Sequence, residues 1–203
     1  AKTFDSGVTF RFDTAPKCGV YADMPESEYF ALKAVSNSRL TPLLKSPTHC
    51  LYSMQHPQEP TAAMILGSAV DCLVFTPTLF NERFVIPGQC ESKTQKGQRC
   101  SKQASYLMES REVIGQAIWV CGTHISGREL NAKTILTADQ SSTAYAMAKA
   151  VLNHDGAKVL LDACEETQLS LVWKENNLLC KGRLDGLSSE LKTVIDLKTC
   201  ADA

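Results

Sequence analysis

Two aspartates and a lysine near the C-terminus have the residue types and the spacing of a metal-dependent hydrolytic site. Asp185 stands at the end of the apolar segment Leu178–Gly186, and both Asp196 and Lys198 lie in the apolar segment Thr193–Thr199. Each segment has the composition of a β-strand, and the glycine and serines between them are typical turn residues. The sequence therefore predicts a hairpin whose first strand ends at Asp185.

The chemistry available to these three side chains is hydrolysis of a phosphodiester. Side chains alternate between the two faces of a strand, so Asp196 and Lys198 are expected to share a face. Carboxylate oxygens from Asp185 and Asp196 suit Mg²⁺ or Mn²⁺, hard cations that also bind water and phosphate oxygens. Lys198 can then orient or deprotonate an attacking water or stabilise charge on the phosphate. The alternative is an ordinary amphipathic hairpin, because Asp-x-Lys alone is common.

The order of the motifs resembles the PD-(D/E)xK nucleases, and specifically their RecE (exodeoxyribonuclease VIII) branch. The C-terminal part of the resemblance is Gly182-Arg183-Leu184-Asp185 followed by Asp196-Leu197-Lys198-Thr199. Three earlier segments occur in the order found in that branch: Ser36–Leu40, Ser46–His49 and Gly67–Pro77. The resemblance spans residues 20 to 203 and is weakest between Cys90 and His124.

This resemblance implies both a fold and an activity. The fold is α/β, with a mixed central β-sheet flanked by helices. The activity is 5′ to 3′ digestion of linear double-stranded DNA by a homo-oligomer, which leaves single strands for a phage or prophage annealing protein. Asp185 and Asp196 then hold the Mg²⁺, Lys198 handles the water, and Arg183 and Thr199 approach the phosphates. A non-catalytic DNA-binding or regulatory protein on the same fold is the alternative.

Two positions depart from the pattern of that branch, which carries His where this chain has Asp71 and Glu where it has Gln168. Asp71 is the one charge in an apolar helix predicted for Thr61–Phe75, where a carboxylate requires either a metal or a salt bridge. Gln168 lies in a strand predicted for Glu165–Trp173, and its amide binds Mg²⁺ less well than a carboxylate. Glu166, one two-residue step away on the same face, is a candidate to restore the missing charge. Alternatively, Glu166 is simply solvated.

A second group of metal-binding residue types lies in the polar segment 89–127, which is predicted to be an insertion. Cys90 and Cys100 flank Thr94-Gln95-Lys96-Gly97, and Cys121 and His124 follow. Three thiolates and an imidazole make a closed tetrahedral Zn²⁺ site, which can stabilise a segment too small to have a core of its own. The spacing resembles small Cys-Cys-Cys-His zinc beads, and unligated cysteines are the alternative. The insertion also carries basic residues that are either DNA phosphate contacts or a solvated face: Lys93, Lys96, Arg99 and Lys102.

The elements that position these residues are predicted from capping signals and apolar spacing. Ser36 or Asn37 is expected to cap a helix from Ser38 to Lys45. By the resemblance this region shapes the DNA entrance, so Ser36, Asn37 and Arg39 are candidate phosphate contacts, with simple capping as the alternative. Thr137 is expected to cap another helix, and the alternating segment Val8–Phe12 is expected to be an edge strand or an ordered arm.

Composition bounds the rest. The 203 residues carry a net charge of −1, so DNA affinity requires a local basic groove rather than a basic surface as a whole. The length suits one domain over 1–203 that contains the insertion. No apolar run reaches the ~20 residues of a membrane span and the N-terminus lacks a signal pattern, so the expected location is the cytoplasm. The resemblance to a phage or prophage nuclease implies that this is the cytoplasm of a bacterial host cell. Nine cysteines, an odd number, favour metal ligation and buried thiols over disulfides.

Overall fold

The structure is a computed structural model that describes residues 17–22, 24–56, 58–110, 116–125 and 133–200. The predicted edge strand Val8–Phe12 lies outside these residues. The chain divides into two compact units: residues 1–59 with 159–198 form the first, and residues 60–158 with 199–203 form the second. Among the described residues, no helix has both the length and the apolar character needed to cross a bilayer.

The described residues form eight strands, seven α-helices and three 3₁₀ turns. The strands are β1 (Gly19–Tyr21), β2 (Phe84–Val85), β3 (Tyr106–Glu109), β4 (Ala117–Val120), β5 (Thr134–Ile135), β6 (Glu166–Glu175), β7 (Leu178–Ser188) and β8 (Thr193–Ile195). The helices are α1 (Glu26–Ala31), α2 (Asn37–Leu40), α3 (Pro47–Gln55), α4 (Ala62–Phe75), α5 (Phe80–Arg83), α6 (Ala138–Leu152) and α7 (Asp155–Asp162). Short 3₁₀ turns occur at Thr41–Leu44, Pro77–Leu79 and Gly122–His124.

The first unit is built on a four-stranded sheet with the order β1-β6-β7-β8, in which each neighbouring pair is antiparallel. β6 and β7 form a hairpin whose two turn residues, Asn176 and Asn177, have φ of 49° and 65°. Asparagine tolerates this left-handed conformation, which the tight two-residue hairpin turn requires at both positions. Val35 makes an isolated parallel bridge to Cys180 beside β7, but the described strands of this sheet pair only in antiparallel fashion, whereas a mixed central sheet was predicted.

The strands that carry the acidic residues have different limits from those predicted. β7 continues to Ser188, so Asp185 lies inside the strand and does not end it. β8 ends at Ile195, so Asp196 and Lys198 lie just beyond the strand and not within it. Sequence composition alone did not reveal these limits, because they depend on how far the two strands pair.

Near the N-terminus, the predicted helix from Ser38 to Lys45 is found as α2 followed directly by the 3₁₀ turn Thr41–Leu44. Ser36 occupies the N-cap position, but its side chain makes no capping bond. Its Oγ lies 3.1 Å from Oγ of Ser38 instead. The prediction that the Ser36 side chain caps this helix is therefore wrong.

The second unit contains α4 and α6, which pack against each other. The predicted Thr61–Phe75 helix is α4, and the Thr61 hydroxyl caps it by accepting the N–H of Met64 at 3.3 Å. The predicted capping role of Thr137 is also confirmed. Its hydroxyl accepts the N–H of Gln140, whose side chain accepts the N–H of Thr137 in return. Such a reciprocal pair satisfies two backbone donors that the helix itself leaves without partners.

Candidate functional site

The two candidate acidic residues, Asp185 and Asp196, face each other across neighbouring strand segments. Gly186 pairs with Ile195 at the end of the β7–β8 ladder, so Asp185 and Asp196 each lie one residue beyond its last pair. The charge of Asp196 acts on Asp185, which places the two side chains close together. The backbone N–H of Leu197 donates to Oδ2 of Asp185 at 2.7 Å. This hydrogen bond holds the residues that follow β8 against β7, beyond the end of the strand pairing.

The electrostatic setting of Asp185 suits a cation. Its pKa is raised, chiefly by burial and also by the charge of Asp196, while the Leu197 N–H, Lys198 and Arg183 oppose the rise. Two carboxylates that repel each other in a half-buried place gain from a divalent cation between them, and carboxylate oxygens are the ligands that Mg²⁺ prefers. The donor set therefore fits Mg²⁺ or Mn²⁺, which Asp185 and Asp196 would hold.

Lys198 lies on the solvent side of this acidic pair. Its Nζ is 2.5 Å from Oδ1 of Asp196, and the two side chains are 77% and 55% exposed. Asp196 and Lys198 thus lie together beside Asp185, and this arrangement follows from the chain segment after β8 and not from alternation within a strand.

Gln168 lies on β6 directly opposite Asp185. Thr167 pairs with Gly186 and Leu169 with Leu184, so the register places Gln168 across from Asp185. Its φ is 55°, a left-handed conformation that is unusual in the middle of a strand for any residue with a Cβ. Regular alternation does not hold through such a residue, so Glu166 and Gln168 cannot be assumed to share a face.

The side chain of Gln168 contacts the candidate phosphate-binding arginine. Nε of Arg183 donates to Oε1 of Gln168 at 3.1 Å. On the α1 side, the Arg183 guanidinium carbon lies 5.5 Å from the ring centroid of Tyr29, within the range of a cation–π contact. Arg183 is thereby held at two points, one on β6 and one on α1.

Tyr29 is the centre of a cluster of positive charge. Its pKa is raised by burial, against the opposing effect of the Arg183 and Arg39 guanidinium groups. Nζ of Lys181 lies 4.7 Å from the centroid of the same ring. Of the three N-terminal residues predicted to contact phosphates, Arg39 therefore acts electrostatically on the same ring as Arg183. The Ser36 hydroxyl lies against that of Ser38, and Asn37 begins α2.

Lys181 is a buried lysine that sequence analysis missed. It is 3% exposed, and its Nζ donates to the backbone carbonyls of Tyr29 at 2.7 Å and Leu32 at 3.1 Å, at the C-terminal end of α1. Burial, with a smaller effect of Arg39, lowers its pKa to about 8. The signal available in the sequence was a lysine two residues before Arg183 in an otherwise apolar strand, which places both on one face.

Glu166, which begins β6, and Glu165, which precedes it, have different surroundings. The Glu165 carboxylate accepts the N–H groups of Ser189 at 3.2 Å and Glu190 at 3.3 Å, and the Ser189 bonds lower its pKa. Glu165 therefore stabilises the turn between β7 and β8. Glu166 pairs with Leu187 in the ladder and is exposed, and its role near a metal stays a prediction.

Asp71 and Thr199 both belong to the second unit. Asp71 is half-buried on α4, with its Oδ1 shielded from solvent. The hydroxyl of Thr199 approaches Gly67 one turn earlier on the same helix: a Cβ at Gly67 would lie 3.1 Å from Thr199 Oγ1. Gly67 thus leaves room for this hydroxyl. The proposed roles of Asp71 at the metal and Thr199 at a phosphate stay predictions.

The four predicted zinc ligands converge in the second unit. Sγ of Cys100 lies 3.9 Å from Sγ of Cys121, and Nδ1 of His124 lies 3.5 Å from the sulfurs of both Cys90 and Cys121. All four ligand atoms lie within 4.8 Å of one another. Tetrahedral ligands about 2.3 Å from a metal are about 3.8 Å apart, so the spacing fits Zn²⁺.

The chemistry of the thiols also fits a metal. Burial alone would raise the pKa of Cys121, but hydrogen bonds from the Thr123 backbone, His124 and the other two cysteines outweigh burial and bring it to about 6. For Cys100, the Lys102 backbone bond lowers the pKa, but burial and the neighbouring cysteines outweigh it, so the net shift is upward. One thiolate is thus available at neutral pH, and metal binding must displace the remaining thiol protons.

The local fold of the insertion explains how short segments bring these ligands together. β3 and β4 form a hairpin, and Met108 and Val120 make a small core with the three cysteines. Between the first two cysteines, the backbones of Lys93 and Arg99 form an antiparallel β-bridge that closes a turn, and Gly97 in this turn has a φ of 77°. A side chain at Gly97 would be strained in this conformation.

The basic residues of the insertion fall into two groups. Arg99 donates to the carbonyls of Cys90 at 3.2 Å and Gln89 at 3.3 Å, and Lys102 donates to the Thr123 hydroxyl at 2.8 Å. Both therefore have structural contacts around the ligand cluster. Lys93 and Lys96 lie on the exposed turn.

The β6–β7–β8 sheet, the facing aspartates and the adjacent lysine are the features of a nuclease-type fold of the PD-(D/E)xK kind. Residues 36–203 match the family described as a PDDEXK-like domain of unknown function (DUF3799), and the chain belongs to that family. A search of curated proteins finds no match to the chain. The matched range includes both the acidic pair and the Cys–His cluster.

Proposed function

We propose that this protein is a Mg²⁺- or Mn²⁺-dependent deoxyribonuclease of the RecE kind that hydrolyses phosphodiester bonds of linear double-stranded DNA. It digests from 5′ ends in the 5′ to 3′ direction as a homo-oligomer. The single strands that it leaves are the substrate of a single-strand annealing protein in phage or prophage recombination. The zinc-binding insertion has a structural role, because four protein ligands leave no open position for catalysis.

The observation that carries this proposal is the pairing of Asp185 with Asp196 beside Lys198. The two carboxylates are cross-strand neighbours, and the Lys198 ammonium is already in hydrogen-bond contact with one of them. A structural hairpin gains nothing from placing two acids side by side, where they repel. A hydrolytic site gains a place for a divalent cation with a lysine beside it.

In the proposed reaction each residue has a separate task. Asp185 and Asp196 hold the metal, which when bound supplies Lewis-acid polarisation of the phosphate. Lys198 orients the attacking water and stabilises negative charge on the phosphate. Arg183 binds a phosphate oxygen through its guanidinium group. The water oxygen bonds to phosphorus, the bond from phosphorus to the leaving 3′ oxygen breaks, and that oxygen takes up a proton.

One observation favours a second candidate, a DNA-binding protein without nuclease activity. At the position where the RecE branch carries a glutamate, this chain has Gln168, and its Oε1 accepts a hydrogen bond from Arg183. A site with fewer carboxylates holds Mg²⁺ more weakly. This candidate binds the same DNA without cutting it.

Digestion assays separate these functions. The protein is incubated with linear and end-blocked duplexes labelled at the 5′ or the 3′ end, and with uniformly labelled closed circular duplexes, in Mg²⁺, Mn²⁺ or Ca²⁺. We expect digestion of linear DNA with early release of the 5′ label in Mg²⁺ or Mn²⁺, and none of closed circles. Cutting of closed circles would instead indicate an endonuclease. Binding without cleavage in either metal would contradict the proposed activity and support the second candidate.

A further inference from the structure

We propose that Gln168 and Tyr29 are positioning residues that orient the Arg183 guanidinium toward a DNA phosphate, and that Gln168 acts through Arg183 and not as a metal ligand. This inference rests on the proposed DNA substrate and assigns metal binding and phosphate binding to different residues. Asp185 and Asp196 serve the metal, while Tyr29, Gln168 and Arg183 form a separate phosphate-binding group.

The first argument is the direction of the Gln168 side chain. Its carbonyl oxygen, the atom that would ligate a metal, accepts the 3.1 Å hydrogen bond from Nε of Arg183. Since the donor is a cation, this bond is stronger than a bond between neutral groups. An amide is well suited to the task, because it orients the guanidinium without neutralising its charge.

The second argument is the backbone of Gln168. Its φ of 55° interrupts β6 at the position opposite Asp185. A residue with a Cβ adopts this conformation only when its surroundings hold it there, and such residues concentrate at functional sites. The neighbouring pairs Thr167–Gly186 and Leu169–Leu184 keep the same register, so the irregularity is confined to Gln168.

The third argument is the aromatic support on the other side of Arg183. The Tyr29 ring is buried, 8% exposed, and lies 5.5 Å from the guanidinium carbon. Lys181 fixes the backbone of Tyr29 through the 2.7 Å bond to its carbonyl oxygen. Arg183 thus has its orientation set before substrate arrives, which lowers the entropy lost when a phosphate binds.

The test uses DNA binding and metal binding as separate readouts on the full chain. Gln168→Met keeps the length of the side chain and removes the acceptor. Affinity for a short linear duplex is measured in Ca²⁺, and Mn²⁺ binding is measured on the protein alone by the loss of the free-ion spin-resonance signal. We expect duplex affinity to fall about tenfold, as for a lost hydrogen bond to a charged group, and Mn²⁺ affinity to stay unchanged.

Further variants test the route through Arg183. Gln168→Glu keeps an acceptor but neutralises the guanidinium charge, so it should also bind the duplex more weakly than the wild type does. Gln168→Met should cause no further loss in an Arg183→Met background, because the two act as one unit. Tyr29→Phe should preserve binding and Tyr29→Leu should weaken it. The matched control Gln55→Met, at an exposed helix end, should change nothing.

Three results would overturn the proposal: weaker Mn²⁺ binding in Gln168→Met, unchanged duplex affinity in that variant, or additive losses in the double variant. These outcomes are distinguishable from failure of the proposed nuclease activity. If the wild type binds the duplex but never cuts it, the nuclease activity fails while the binding comparison still decides the role of Gln168. If the wild type cuts and Gln168→Met binds DNA normally, only the positioning role fails.

Discussion

The backbone N–H of Leu197 and the Oδ2 atom of Asp185 are joined by a 2.7 Å hydrogen bond. Because Leu197 lies between Asp196 and Lys198 in the chain, this bond fixes the segment that carries both of them beside Asp185. The position of this segment therefore depends on the Leu197 N–H and the Asp185 carboxylate, and the bond does not require the side chain of Asp196 or Lys198. The fold around the site can be kept while its chemistry is removed.

We expect Asp196→Ala and Lys198→Ala each to lower the rate of Mg²⁺-dependent DNA cleavage by about 100-fold or more, the usual effect of removing a catalytic group. Thermal stability should change little, because the pair is exposed and such pairs contribute at most about 1 kcal/mol. Release of acid-soluble nucleotide is the measurement, with the exposed Lys174→Ala as control. Full activity in Asp196→Ala would refute the assignment of this site.

Asp185→Asn should separate stability from metal binding. Folding raises the pKa of Asp185, so the charged form is disfavoured in the folded protein. Wild-type stability should therefore fall, relative to the variant, as pH rises from the ordinary value of about 3.9 through the raised pKa. Thermal melting of both proteins without metal over this pH range tests the sign.

The stability of Asp185→Asn should no longer increase when Mg²⁺ is added. At 100 times its dissociation constant, a ligand of the folded state adds about 2.7 kcal/mol to the wild-type stability. Asp185→Asn should gain far less, since it lacks one of the two carboxylates. An equal gain in both proteins would show that Mg²⁺ binds elsewhere.

Zinc binding should require Cys121. About one equivalent of Zn²⁺ should copurify with the wild type, as expected for a single four-ligand site, and Cys121→Ser should lose it. The matched control Cys164→Ser, outside the ligand cluster, should keep it. Elemental analysis gives the metal content. Hydrogen exchange should show faster opening of β3 and β4 in Cys121→Ser, with β6 and β7 unchanged.

The pH dependence of zinc binding follows from the thiols. The pKa of Cys121 is about 6 without metal. Below that pH Zn²⁺ must displace one more proton, so its affinity should fall more steeply as pH drops through about 6. A metal content that stays constant when the protein is titrated well below this pH would contradict the assigned ligand set.

Arg99 and Lys96 should have different roles although both are basic residues of the insertion. Arg99→Met removes two bonds to backbone carbonyls beside Cys90 and should weaken zinc retention. Lys96→Met should leave zinc in place. If Lys96 contacts a phosphate, the slope of log affinity against log salt concentration should fall by about 1. An unchanged slope would show that Lys96 belongs to a solvated surface.

Lys181→Met should destabilise the first unit, because two carbonyls at the end of α1 lose a charged donor; the expected cost is about 1–3 kcal/mol. The pKa of Lys181 falls to about 8 on folding. The unfolded chain then binds the extra proton between about pH 8 and 10, and wild-type stability should rise relative to the variant over that window. Urea unfolding of both proteins at several pH values measures the difference.

The sequence predicted those parts of the site that depend on local spacing. The cap at Thr137 acts over three residues, and the convergence of Cys90, Cys100, Cys121 and His124 follows a ligand pattern typical of a closed zinc site. These sequence signals are either short-range or specific to one kind of site. They can be interpreted without knowing how distant segments of the chain pack.

The remaining features depend on tertiary contacts. The resemblance predicted that Gln168 would face the metal, and alternation predicted that Glu166 would share its face. The left-handed backbone at Gln168 interrupts regular alternation, and its oxygen accepts a hydrogen bond from Arg183. Likewise, no periodicity shows that Lys181 reaches the carbonyls of α1, which lie more than a hundred residues earlier in the chain. The pairing of β7 with β6 and β8 decides these contacts.

The Cys–His cluster also has a topological consequence. Because Cys90 and His124 meet although they are 34 residues apart, the inserted segment is a loop closed on itself at one point. Its closure does not depend on the length of chain between β3 and β4. The entropic cost of closing a loop also rises only slowly as the loop becomes longer. The flanking strands β2 and β5 can therefore keep their parallel pairing while the insertion gains or loses residues.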